Sequence, residues 1–67
     1  MTTPKYPHIT ADLSARDGNA FYILGFVRAL LLSHGVPRDE ANDFLNEASS
    51  GDYDHMLRTV MRWVNVT

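Results

Sequence analysis

The spacing of apolar positions changes period along this chain. Over residues 8–13, Ile9, Ala11 and Leu13 alternate with Thr10 and Asp12. A period of two predicts a short strand with one buried face. Ser14 to Asn19 then reads as a loop, with Asp17-Gly18 as its turn, because glycine takes positive φ without strain. Asn19 suits the N-cap of the element that follows, its side-chain oxygen accepting an otherwise orphaned amide.

From Ala20 to His34 the period becomes helical. Ala20, Ile23, Leu24, Val27, Leu30 and Leu31 fall on one face. Gly35 suits the left-handed position after a helix end. Gly25, mid-helix, costs about 1 kcal/mol relative to alanine, and close approach of another element there would offset that cost. Val36-Pro37 starts a second helix, with Pro37 at the first helical position, where its missing amide is no loss. Asp39 and Glu40 favour the positive end of its dipole. Ala41, Phe44, Leu45 and Ala48 make a narrow apolar stripe, and Ser49-Ser50-Gly51 ends the helix. Asp52 caps a third helix, Tyr53 to about Trp63. There Tyr53, Met56, Leu57, Val60, Met61 and Val64 give the cleanest helical repeat in the chain. Asp54 and Arg58 stand at i, i+4 and can pair. Val64 and Val66 alternate with Asn65, which predicts a strand beside the first, since a lone strand leaves its backbone groups unpaired. The expected fold is a small α+β domain of order β-α-α-α-β: three helices, the first central and apolar, with a two-stranded ribbon from the termini. Residues 1–7 read as a flexible tail and 8–67 as one compact domain.

Composition narrows the picture. At 67 residues the chain is near the lower limit for independent folding. It has no cysteine, so neither a disulfide nor a thiolate metal site is available. A net charge of −2 disfavours nucleic acid as a partner. The N-terminus lacks the apolar core of a secretory signal. The run from Ala20 to Leu32 is shorter than the ~20 residues of a membrane span, and Arg28 interrupts it. A cytoplasmic protein with no membrane contact is expected.

Candidate chemistry is thin. His8, His34 and His55 are the only histidines. Asp52, Asp54 and His55 cluster in sequence, but neighbours on a helix diverge by ~100°, and a metal site needs convergent ligands. The serines fall at helix ends or in loops. No catalytic residue, metal site or cofactor is expected. His55, Arg58 and Arg62 can line one edge of the third helix and reach phosphates. Asp39, Glu40, Asp43 and Glu47 on the second helix would repel the same polyanion, so this edge is the second reading. The first helix carries more apolar surface than its core face needs: Tyr22 and Phe26 on one flank, Phe21 and Leu32 on the other. An exposed aromatic patch marks a surface for a protein partner or a second copy.

The segments Asp17-Gly18-Asn19-Ala20-Phe21, Ile23-Leu24-Gly25, Ser50-Gly51-Asp52-Tyr53-Asp54-His55 and Met61-Arg62-Trp63-Val64 resemble a group of small uncharacterised proteins from bacterial genomes, phages and mobile elements. The resemblance spans most of the chain from Leu13 to Val66. It implies a biological context, that of a small accessory protein, and supplies no activity or site residue. The leading expectation is therefore a non-enzymatic interaction module that binds a host or phage protein, or itself, through Tyr22, Phe26, Phe21 and Leu32. The alternative is a nucleic-acid accessory factor using Arg58 and Arg62.

Overall fold

The computed structural model describes residues 3–13 and 19–67. The turn expected at Asp17-Gly18 lies outside them. The order is β1 (Tyr6–Ala11), α1 (Ala20–Ser33), α2 (Arg38–Ala48), α3 (Tyr53–Trp63) and β2 (Val64–Val66). The α+β domain and its terminal ribbon are as the sequence predicts. The strands pair in parallel, with Tyr6 opposite Val64, Thr10 opposite Asn65 and Ala11 opposite Val66. The register is irregular between Tyr6 and Thr10, where Pro7 has no amide to donate. There the Asn65 side-chain amide donates to the Pro7 carbonyl.

β1 begins at Tyr6, two residues before the expected start, so the assigned tail is too long. Three contacts hold this segment. The Lys5 amide donates to Arg62 O at 2.8 Å. Lys5 Nζ lies 2.5 Å from Glu40 Oε1 and 4.6 Å from the centre of the Trp63 ring. Tyr6 stacks on Trp63 at 6.1 Å between ring centroids.

α1 starts as predicted: Asn19 Oδ1 accepts from the Tyr22 amide at 3.0 Å. It ends at Ser33, with His34 as C-cap. Gly35 has φ +86°. Its amide donates to Leu32 O and that of Val36 to Leu31 O, the double bond pattern of a left-handed helix stop. The close approach expected at Gly25 is absent. A Cβ built there meets nothing within 4 Å, and the residue faces solvent. Pro37 is the N-cap of α2, one position earlier than expected.

The core joins Ile9 and Ala11 of β1, Ile23, Val27 and Leu31 of α1, Ala41, Phe44 and Ala48 of α2, and Met56, Val60 and Trp63 of α3. Burying each large apolar side chain contributes about 1.5–3 kcal/mol. α2 packs on both α1 and α3, which touch each other less. Its Phe44, fully buried, meets Trp63 edge-on at 5.6 Å. The Trp63 indole N–H donates to Glu47 Oε2 at 2.9 Å, so the one polar atom of this side chain is satisfied.

Two predictions follow from the Trp63 cluster. Trp63→Ala should lower unfolding free energy by about 3–5 kcal/mol in urea titration. The Tyr6 phenol is pushed up to about 12 by burial and by the hydrogen bond and negative charge of Glu40. A raised acid favours the protonated native form, so its contribution is complete below pH 10 and is lost as pH rises from 10 to about 12. Stability measured across that window should fall more steeply for the native sequence than for Tyr6→Phe.

Candidate protein-binding face

The buried face of α3 is not the stripe its sequence displays. Met56, Thr59, Val60 and Trp63 point inward. Thr59 is tolerated there because its hydroxyl donates to His55 O at 2.9 Å. The helix is thereby rotated, and Tyr53, Leu57 and Met61, at i, i+4 and i+8, are left along one edge. Tyr53 is 37% and Met61 51% exposed; Leu57 is half-buried. This edge and Ile23, Leu13 and Val66 enclose an open cleft of about 260 Å³. A second cleft, about 210 Å³, lies on the other side of Tyr53, between Phe21 and Leu24 of α1 and Ala48, Gly51 and Met56.

The flanks of α1 are only partly as expected. Phe21 is 87% exposed and Tyr22 54%. Phe26 and Leu32 are half-buried and pack against the core. The corrected apolar face comprises Phe21 with Tyr53, Met61 and Val66, and Tyr22 stands on the opposite flank of α1. Tyr53 and Met61 fall in the same helical repeat as Met56 and Val60, so their spacing does not mark them as exposed. Counting offered the missing signal: six apolar positions on an 11-residue helix exceed what one buried face of a small domain absorbs.

The edge proposed for nucleic acid is largely occupied. Arg62 Nη2 pairs with Glu47 Oε1 at 3.1 Å. The His55 ring turns back to α2, its Nε2 lying 2.8 Å from Glu47 O and 3.1 Å from Ser50 Oγ. Arg58 is exposed, and the expected pairing with Asp54 is absent: neither residue takes part in the ion pairs Lys5–Glu40 and Glu47–Arg62.

The Ser50–His55 contact is not a nucleophile and its base. A carbonyl oxygen only accepts, so Nε2 carries the proton that it gives to Glu47 O. Ser50 Oγ donates to the same carbonyl at 2.7 Å. Both groups cap the C-terminus of α2, whose last carbonyls lack helical partners. Asp52 Oδ1 accepts from the His55 amide at 2.8 Å and caps α3. Gly51 leaves room for the imidazole: a Cβ there would lie 2.8 Å from His55 Cγ. The Ser50-Gly51-Asp52-Tyr53-Asp54-His55 segment is thus a joint between two helices. No group of three or more His, Asp or Glu that could hold a metal ion occurs among the described residues. His8 and His34 approach edge-on at 6.1 Å between ring centroids.

No protein-family model matches the chain, and no curated protein or solved structure matches it either. No helix among the described residues is long and apolar enough to cross a membrane.

The joint yields a test of its own. Gly51→Ala should destabilise the domain by about 1–3 kcal/mol, read as a fall in denaturation midpoint, because the atoms it meets include His55 Cβ, which is held by the backbone of α3. Gly25→Ala, in open space, should instead stabilise by a few tenths to about 1 kcal/mol.

Proposed function

We propose that this chain is a non-enzymatic protein-interaction module, a cytoplasmic accessory protein of a phage or mobile element that acts by stoichiometric binding. The observation that carries this reading is the first turn of α1, where Phe21 is 87% and Tyr22 54% exposed. Phe21 borders a cleft that continues past Tyr53. An exposed phenyl ring gains by leaving water, and aromatic side chains anchor interfaces at low entropic cost. The polar residues that could have suggested catalysis are engaged in capping helices, which supports a binding role. The phage or mobile-element context rests on the motif resemblance.

The test is affinity capture from the natural host with the purified chain as bait, washed across a salt series. A partner held by this face should persist as salt rises and be lost with Phe21→Ser/Tyr22→Ser, while far-ultraviolet circular dichroism keeps its helical signature. Binding that instead falls linearly on a log–log salt plot would identify phosphate contacts and overturn the reading.

A further inference from the structure

We propose that the occupant of the Tyr53/Leu57/Met61 edge is a second copy of this chain, the two α3 helices crossing antiparallel about Leu57. The proposal rests on the interaction reading above and assigns its partner. Three observations carry it.

The first is the symmetry of the stripe. In an isologous two-fold contact the same patch meets itself. With Leu57 at the axis, Tyr53 of one copy opposes Met61 of the other, because each stands four residues from Leu57 on the same helix edge. A thioether against an aromatic ring is a favourable pair. Phe21, at the Tyr53 end, is carried toward the Met61–Val66 end of the other copy's cleft.

The second is charge. Asp54 and Arg58 flank the stripe, are exposed, and have opposite signs. Within one copy they form no ion pair. Antiparallel crossing places Arg58 of each copy near Asp54 of the other, and two-fold symmetry makes the contact twice. One patch therefore presents both partners of the pair that its own helix leaves open.

The third is area. A standard interface removes about 800 Å² from each partner, about a fifth of the 4256 Å² accessible surface of this chain. A large exposed aromatic contributes about 150–250 Å² when fully buried. Phe21, Tyr53, Met61 and Val66, all exposed, with the half-buried Leu13 and Leu57 between them, supply the apolar centre of such a patch, and Asp54 and Arg58 part of its polar rim. A domain this small also gains more from association than a larger one, having less core of its own.

Sedimentation equilibrium and native mass spectrometry over a concentration series test the proposal. The expected species at tens of micromolar is twice the 7.6 kDa chain. Met61→Ser should weaken the dimer at least about tenfold, with circular dichroism unchanged. Arg58→Glu, which sets like charges face to face, should do the same, and Asp54→Arg/Arg58→Glu should restore the dimer. A wild-type chain that stays monomeric at every concentration overturns the second copy as occupant. If that monomer still holds a salt-resistant partner in the capture assay, the interaction reading stands without it. A dimer indifferent to both Met61→Ser and Arg58→Glu, or a weakened dimer that the double reversal does not rescue, overturns the α3–α3 geometry.

Discussion

The parallel pairing of the first and last strands is the constraint on which this fold depends. Parallel neighbours cannot be joined by a tight turn; the chain must travel the length of the sheet and return. Here everything from Ala11 to Val64, all three helices included, is that return path. β2 has only three residues, too little pairing to hold two ends together alone. The balance comes from Trp63, which closes α3 and opens directly into β2. Its ring meets Phe44 edge-on and stacks with Tyr6, with the Lys5 ammonium over it. One side chain thus ties the start of β1 and the middle of α2 to the end of α3.

A second consequence of small size is that polar side chains are largely committed to local architecture. Glu47 serves Trp63 and Arg62, and its backbone carbonyl accepts from His55 and Ser50. Asn19 and Asp52 cap helices, and Arg28 Nε reaches Asn42 Oδ1 at 3.1 Å to join α1 to α2. Groups that look chemical in a sequence are spent on ending helices cleanly. The exposed apolar side chains Phe21, Tyr53, Met61 and Val66 lie where α1, α3 and the open end of the sheet meet.

Much of this was legible in the sequence. Helix ends carry local chemistry, so Asn19, Gly35 and Asp52 mark them without tertiary information. The two valines around Asn65 betrayed the last strand. Orientation was not legible, because side-chain alternation is the same in parallel and antiparallel pairs. The strand start at Tyr6 was hidden by Pro4 and Pro7, which read as tail, whereas Lys5 and Tyr6 are held by Glu40 and Trp63 from distant parts of the chain. The face of α3 was misread for a related reason. Thr59 looks polar, yet its hydroxyl is satisfied by its own helix, which frees that position for the core and turns Met61 outward. Gly25 shows the converse error: a glycine in a helix invites a packing explanation, and here it only faces water. Of the candidate site, Phe21 and Tyr22 were visible as surplus, while Tyr53 and Met61 were concealed by a periodicity that fitted too well.

The short second strand has a further consequence during synthesis. β1 leaves the ribosome before Val64–Val66, with all three helices between them. Helical turns can form on the way, but the Trp63 cluster and the sheet cannot close until Val64–Val66 has emerged. Folding by halves is therefore unavailable to this molecule. Its nascent form must carry an unpaired β1 and an uncovered Phe44 until α3 and β2 have emerged, which makes the interval before that its most aggregation-exposed moment.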